Sequence, residues 1–443
     1  MRAGGGCGSG VARLASFAKE AGPDAPRVEI LGADHQNKAD VGAAIARRWV
    51  DQDGVAAVVD VPNSAVALAV NQVMREKDRT FLASSSATSD LTGPQCALTT
   101  VQWTFDTWAL ANGTARALIS QGGRTWAFLA SDYAFGASLV RDAGALVRAN
   151  GGRVVGDIRM PLGTPDMSSY LLQAQASGAQ VIGLAAAGDD VTNLVKQAAE
   201  FGMGRDGKQR LAGLLVFLTD VNSMGLETAQ GLLLTEAFYW DLNDATRAWS
   251  QRFAERTGGR KPTMNHAGVY SSVLAYLRAA AAVRSVSGQA VVAKMEEAPI
   301  DDALFGPTTI RRDGRRGPPQ RHAGAGRAAD ADRHAAFLAH GAGHGMALGH
   351  RLDQHVDAAE LGLAVPHRHA VADDGSPVKH GRGLTAPMVN GSTARAWWLG
   401  DGVDVRPGHV DGAVQRTLAI HWTKVGGRKS GPGHQARPAC SPA

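Results

Sequence analysis

The stretch TFLASSSATSDLT, residues 80–92, joins a short apolar strand to a cluster of small hydroxyl residues. Thr80–Ala83 is typical of a buried strand, and three serines follow it directly. Such a strand end presents several backbone N–H and side-chain O–H donors at one point, and a helix starting there adds its positive end. The pattern predicts an anion site at Ser85, Ser86, Ala87 and Thr88. The alternative is an ordinary helix N-cap, for which Ser, Thr and Asp are the preferred residues.

This stretch belongs to a regular alternation of strands and helices. The first series predicts strands at 28–34, 55–61, 80–83 and 100–104, with helices at 37–53, 63–77 and 107–121. The second predicts strands at 125–131, 153–160, 181–186, 211–218 and 231–237, with a helix after each of the first three. Helices at 245–257, 264–283 and 289–297 and a strand at 308–311 complete the patterned part. Such alternation indicates an α/β protein with two doubly wound, Rossmann-like lobes, whose ligands bind beyond the carboxyl ends of the strands.

Composition restricts the function further. The chain has 443 residues, a net charge of +5 without basic clustering in its patterned part, and no apolar run of 18 residues. Nucleic acid is therefore not an expected partner, and a membrane span is not expected either. No GxGxxG follows a strand, and neither a P-loop nor a GxSxG motif is present. We therefore expect a protein that is not an enzyme and that carries no cofactor and no catalytic or metal-ligating residues.

The two ends of the chain depart from the pattern. Residues 1–26 show neither a clear first strand nor the apolar region of a secretory signal, so the chain as written is expected to stay in the cytoplasm. After Arg315 the composition changes, and 12 of the 14 histidines lie in the tail. We expect this irregular tail, residues 316–443, to be disordered, and we hypothesise that it is an out-of-frame reading of GC-rich DNA. The spacing of His340, His344 and His350 leaves a metal tract open as an alternative.

Several of these segments resemble one known family. SSSATSDLT, SDYAFGASL and QGLLLTEAFYWDLNDATRAWSQRF, together with residues 28–70, are similar to periplasmic solute-binding proteins of the leucine/isoleucine/valine type, which feed ABC importers. The resemblance covers about Arg27 to Arg315. It implies the type I periplasmic-binding-protein fold, with lobe 1 at 27–121 plus a return of 240–300, lobe 2 at 122–239 and a crossover strand at 301–315.

The resemblance also implies which residues bind the ligand. Asn63, Ser64, Ser85, Ser86, Ala87 and Thr88 would hold a carboxylate from lobe 1. From lobe 2, Tyr133 and Phe135 would reach the ligand, Ala187 and Gly188 would line the floor, and Asp220 would pair with an ammonium. Two alternatives stay open: Asp220 caps the following helix, and Tyr133 and Phe135 pack in the core.

The function implied by the resemblance is clamping of an amino acid, or a similar small carboxylate or amide, for delivery to a permease in the inner membrane. The aromatic residues around Tyr239 leave room for an aromatic acid as the ligand. The family location is periplasmic. The alternative is a ligand-sensing clamp that regulates a partner protein, as amide sensors do.

Overall fold

The structure is a computed structural model that describes residues 20–26, 28–204, 209–317 and 416–422. Two β-sheets each alternate with helices, and a third, smaller sheet lies near the end of the continuous part. The predicted α/β class with two doubly wound lobes is confirmed. Within the described ranges, none of the helices combines the length and the apolar character that a membrane span requires.

Lobe 1 is built on a five-stranded sheet with the order β1-β12-β2-β3-β4. Strands β2, β3 and β4 are parallel, whereas β12 runs antiparallel to both of its neighbours. The elements of this lobe are β1 (Val28–Asp34), α1 (Ala39–Asp51), β2 (Val55–Val59), α2 (Ser64–Glu76), β3 (Thr80–Ala83), a 3₁₀ turn (Ser89–Thr92), β4 (Thr100–Gln102) and β12 (Arg416–Trp422).

Lobe 2 is built on a four-stranded parallel sheet with the order β6-β5-β7-β8. Its elements are β5 (Thr125–Ser131), α4 (Ala134–Ala149), β6 (Arg153–Met160), α5 (Ser168–Ala176), β7 (Val181–Ala185), α6 (Asp189–Glu200), β8 (Arg210–Gly213) and α7 (Leu218–Met224). The helix that joins the lobes, α3, comprises Thr107–Leu110, a π-helical turn at Ala111–Ala115, and Arg116–Ser120. It lies against α4 of lobe 2.

The chain then returns to lobe 1 through three helices and the small antiparallel sheet. Helices α9 and α10 lie against β3. These last elements are α8 (Asp244–Thr257), α9 (Met264–Val283), α10 (Gly288–Glu296), β9 (Ile300–Asp302), β10 (Gly306–Ile310) and β11 (Arg316–Gly317). The 20-residue α9 buries residues on nearly all sides, which explains why its apolar pattern is broad rather than one-sided.

The two larger sheets are each covered on both faces by apolar side chains, as expected for parallel strands. All five residues of β2 are buried. On one face of lobe 1, Val58 of β2 packs with Trp49 of α1 and Val70 of α2. On the other face, Val59 belongs to a core that continues through α9 into one face of lobe 2. The remaining face of lobe 2 has its own core.

The structure differs from the predicted elements at two places in lobe 2. The strand predicted at 211–218 ends at Gly213, and Leu218 begins α7. The prediction of a strand at 231–237 is wrong. Within this described segment, only an isolated β-bridge is formed, between Leu233 and Ala212. Gly231 has a φ of 78°, a conformation that an extended strand excludes, and the apolar residues after it are buried as a loop.

Two short segments of the C-terminal tail, residues 316–317 and 416–422, are among the described residues. Arg316 is 5% exposed, lies between the rings of Trp103 and Phe305, and pairs with Asp302 at 2.8 Å (Nη2 to Oδ2). The folded body therefore continues through Gly317, past the change in composition. Further on, Arg416–Trp422 forms β12, which the sequence pattern did not predict. Residues 318–415 and 423–443, which hold the proposed metal tract, lie outside the described residues, as do residues 1–19.

Candidate functional site

Polar residues follow the carboxyl ends of neighbouring strands in both lobes. In lobe 1, Asp60 comes directly after β2 and Ser84 directly after β3. In lobe 2, Asp132 follows β5, and Asp189 begins the helix after β7. Because the carboxyl ends of parallel strands share one edge of a sheet, each lobe presents its polar residues along one edge.

The two lobes contact each other beside the serine cluster. Thr88 Oγ1 and Ser138 Oγ of α4 are 2.7 Å apart. One residue further on, the Ser89 hydroxyl donates to Asp142 Oδ2 at 2.7 Å, and Arg141 pairs with Asp90 at 2.8 Å. These contacts between the 3₁₀ turn of lobe 1 and α4 of lobe 2 were not predicted from the sequence. They place the serine cluster where the lobes touch.

A buried carboxyl group anchors the serine cluster. Ser85 Oγ donates to Asp60 Oδ1, and Ser84 Oγ lies 3.4 Å from the same oxygen. Ser86 Oγ lies 3.4 Å from the Asp60 carbonyl oxygen. Asp60 is 2% exposed, and burial raises the pKa of its carboxyl to about 6, although the two serine hydroxyls act in the opposite direction. The serine hydroxyls that were expected to bind an anion therefore already have acceptors within the protein.

The backbone of the same segment is better placed to bind an anion than its hydroxyls. Among the described residues, none accepts a hydrogen bond from the N–H of Ser85, Ser86 or Ala87. The next N–H, that of Thr88, donates to Ser64 Oγ at 3.3 Å. Consecutive unpaired N–H groups that follow a strand form an anion-binding concavity. The anion site stays a prediction, with backbone N–H groups rather than hydroxyls as its expected donors.

Asn63 and Ser64 lie beside this segment, at the start of α2. Asn63 is the N-cap of α2, and its Oδ1 accepts from the N–H groups of Ala65 and Val66 at 3.0 and 3.1 Å. Both Asn63 and Ser64 are buried. The structure thus brings the predicted lobe 1 residues together, and it gives Asn63 and Ser64 contacts within the protein.

The two predicted aromatic residues of lobe 2 lie at the start of α4. Tyr133 is the half-buried N-cap residue, and its ring centroid is 5.9 Å from that of Phe135. Burial and the charge of Asp190 raise the pKa of the Tyr133 hydroxyl. Phe135 is 2% exposed and belongs to the main core, as the alternative interpretation predicted. Tyr133 packs against that core while remaining partly exposed.

Ala187 and Gly188 occupy the turn between β7 and α6. Ala187 is partly buried against the main core. Gly188 is the N-cap residue of α6 and has a φ of 60°, where a side chain would introduce strain. The role of this turn as the floor of a binding site stays a prediction.

Asp220 occupies the third position of α7. Its Oδ2 accepts from the Phe217 N–H at 2.9 Å, so the capping role left open by the sequence is present. Burial is the main cause that raises the pKa of this carboxyl to about 6, and the charge of Asp189 adds to it. Capping uses one oxygen and does not prevent the other from meeting a cation.

A second buried carboxyl group lies close to Asp220 and was missed in the sequence. Glu236 is 5% exposed, and its Oε1 accepts from the Leu218 N–H at 2.9 Å. Its Oε2 is buried without a hydrogen-bond partner among the described residues. Burial, aided by the charge of Asp220, raises the pKa of Glu236 to about 8. The signal in the sequence was a single acid within the apolar run LLLTEAF.

The described residues contain no group of three or more His, Cys, Asp or Glu side chains that could hold a metal ion. In the described residues, N–H donors lie on lobe 1, whereas buried carboxyl groups and a tyrosine lie on lobe 2. A few polar groups set among apolar side chains are typical of sites that bind small molecules.

Comparison with known proteins agrees with this geometry. Residues 8–329 match the family described as periplasmic binding protein, and the chain belongs to that family. The predicted relationship to leucine/isoleucine/valine-type binding proteins is confirmed. The family is one of solute-binding proteins, which agrees with the expectation that the chain is not an enzyme.

Curated relatives match part of the chain. Leu/Ile/Val-binding protein homolog 6 of Brucella melitensis is 28% identical over 194 residues, which are 43% of this chain and 49% of the relative. A protein of the same name from Brucella abortus matches to the same extent. The chain therefore matches about half the length of these curated relatives.

Solved structures match more of the chain. A periplasmic binding protein from Burkholderia mallei is 41% identical, with a TM-score of 0.66, over 70% of this chain and 83% of that one. A branched-chain amino acid ABC transporter periplasmic ligand-binding protein from Burkholderia xenovorans is 36% identical, with a TM-score of 0.61, over 70% and 84%. A solute-binding protein from R. palustris, solved with benzoate, is 16% identical and shares the fold, with a TM-score of 0.61 over 70% and 86%.

Proposed function

We propose that the chain is the solute-binding component of an ABC importer, and that it clamps an amino acid or a similar small carboxylate or amide between its lobes. The partner is then a permease in the inner membrane, and the protein works in the periplasm. The observation that supports this proposal most strongly is the run of N–H groups at Ser85, Ser86 and Ala87, which have no acceptor among the described residues and lie beside the contact between the lobes.

The two lobes provide groups of different character. Lobe 1 offers N–H donors to an anion. Lobe 2 offers the carboxyl groups of Asp220 and Glu236, of which Asp220, with a pKa of about 6, is ionised above that pH. A ligand with a carboxylate at one end and an ammonium at the other would satisfy both lobes at once. This supports an amino acid more than a simple acid.

Calorimetric titration with matched ligand pairs tests the proposal. The pairs are leucine with 4-methylpentanoate and phenylalanine with 3-phenylpropanoate, and benzoate and NAD complete the panel. We expect saturable one-to-one binding for at least one amino acid and weaker binding for its partner without the amine. Binding of NAD alone, or of no member of the panel, would contradict the proposal.

The role of Asp220 is tested by Asp220→Asn, because an asparagine oxygen can still cap α7 through the Phe217 N–H. At about pH 7.5 the variant should bind the amino acid more weakly by roughly 2–4 kcal/mol, since a desolvated ammonium loses its charged partner. Binding of the acid without the amine should hardly change. A matched control is Asp301→Asn, which removes the same charge from an exposed position in β9. Equal loss for both ligands would reject the pairing.

A further inference from the structure

Strand β12 occupies an unusual place in the sheet of lobe 1. It lies between β1 and β2, and it is the only strand in the described part of the chain that pairs with β1. Seven residues of β1 are in register with it, from Val28 opposite Trp422 to Asp34 opposite Arg416. On its other side, β12 pairs with β2 between Leu418 and His421, with one register shift.

Without β12, the sheet would be divided. Adjacent strands lie about 4.8 Å apart, so β1 and β2 are separated by about twice that distance, the width of one missing strand. Strand β2 is buried along its whole length, and Val28 and Ile30 of β1 are buried as well. The N–H and C=O groups that point into the gap would lose their hydrogen-bond partners on β12, which is unfavourable.

The sequence of β12 fits the position. RTLAIHW contains no proline or glycine. Its large apolar residues, Leu418, Ile420 and Trp422, stand at every second position. The register sets position 420 opposite Ile30 and Ala57, whose side chains belong to the main core. Position 419, on the other face of the sheet, is opposite Leu31 and Val58, which pack in the core under α1 and α2.

The strand is also connected to the candidate site. Strand β2 ends at Val59, immediately before the carboxyl group that holds Ser84 and Ser85. One edge of β2 pairs with β3, which carries the serine cluster, and the other edge pairs with β12. Asp60 therefore follows a strand that has β3 on one edge and β12 on the other.

We propose that Arg416–Trp422 is a donor strand: it completes the sheet of lobe 1 in its own chain, and lobe 1 requires it to hold β1 and the Asp60 turn in place. The segment lies far beyond the rest of the fold in sequence, and it runs opposite to the parallel strands around it. The gap between β1 and β2 is thus an acceptor for an added strand, with main-chain hydrogen bonds as the binding force.

Hydrogen–deuterium exchange of the full chain tests the pairing directly. Amides of residues 416–422 and of β1 should exchange at least roughly 100-fold more slowly than in an unstructured peptide. Exchange of residues 416–422 at the unstructured rate would overturn the proposal. A chain that is monomeric in light scattering while residues 416–422 are protected supports pairing within one chain, whereas protection only in a dimer would assign the strand to a second copy and contradict it.

Two variants of the full chain test whether lobe 1 requires the strand. Ile420→Pro removes an N–H from a strand that has a partner on each side, whereas the control Ile420→Val keeps a β-branched residue. In Ile420→Pro, exchange in Val28–Asp34 should rise at least about tenfold while β6 in lobe 2 stays unchanged. Unchanged protection of β1 in Ile420→Pro would show that lobe 1 holds β1 without the strand.

Discussion

Replacing Asp60 by asparagine should stabilise the protein at neutral pH. The fold raises the pKa of this carboxyl from 3.8 to about 6, mainly through burial. The folded state therefore favours the protonated form of Asp60. The stability that this protonated carboxyl contributes is fully present below about pH 4, falls between about pH 4 and 6, and is lost above about pH 6. A shift of about two pKa units corresponds to a penalty of about 3 kcal/mol for the ionised carboxylate.

Asparagine suits this position in other respects. Its side-chain oxygen can accept from the Ser84 and Ser85 hydroxyls as Oδ1 of Asp60 does. The backbone at residue 60 has a φ of 79°, and asparagine tolerates positive φ better than most residues. The substitution therefore removes the charge while it keeps the hydrogen bonds and the backbone conformation.

Urea unfolding of the wild-type protein and Asp60→Asn at about pH 4.5 and about pH 7.5 measures the effect. The difference in free energy of unfolding should move by about 2 kcal/mol in favour of the variant between the two pH values, because about a third of the penalty is already present at the lower one. Asp301→Asn, at an exposed position, is the control. A difference that is the same at both pH values, or that favours the wild-type protein more at the higher pH, would refute the reasoning.

Two further predictions concern buried charged groups. Glu236→Gln should gain stability relative to the wild-type protein as pH rises from about 5 to 8 and level off above, because burial raises the pKa of Glu236 to about 8. Thermal unfolding of both proteins across this pH range checks the prediction. A difference in stability that does not change with pH would contradict it. Arg316→Met should lower the free energy of unfolding in urea by about 3 kcal/mol, because Asp302 loses its partner in a buried pair. Arg316→Lys, which keeps the charge, should lower it less. A loss under about 1 kcal/mol for Arg316→Met would show that the pair contributes little.

Elements with a long, clear pattern were predictable from the sequence. Helix α9 has the predicted bounds Met264–Val283, and β6 has the predicted bounds Arg153–Met160. Short apolar runs were less informative, because a run such as LLLTEA at 232–237 is compatible with a strand or with a buried loop. Strand β12 could not be predicted for a different reason: its partners are distant in sequence, and its surroundings have an irregular composition.

The candidate site was predictable in position more than in chemistry. The serine cluster does lie at a strand end, since the order of strands and helices determines where the strands end, whereas Asp220 lies in the first turn of α7, beyond the end of β8 at Gly213. The sequence could not show that the hydroxyls of Ser85 and Ser86 have acceptors on Asp60, because this depends on how two neighbouring strands are aligned. Glu236 was missed for the same reason, as only the folded chain brings it beside Leu218 and Asp220.

The central claim is that the backbone N–H groups of residues 85–87 hold the carboxylate of a small solute between the lobes. A crystal structure of the full chain with the amino acid that binds most tightly in the calorimetric panel tests it most directly. The ligand carboxylate should lie within hydrogen-bond distance, about 2.7–3.2 Å, of at least two of these nitrogens, with its ammonium toward Asp220 or Glu236. A ligand bound away from this edge, or one whose carboxylate points to lobe 2, would contradict the account.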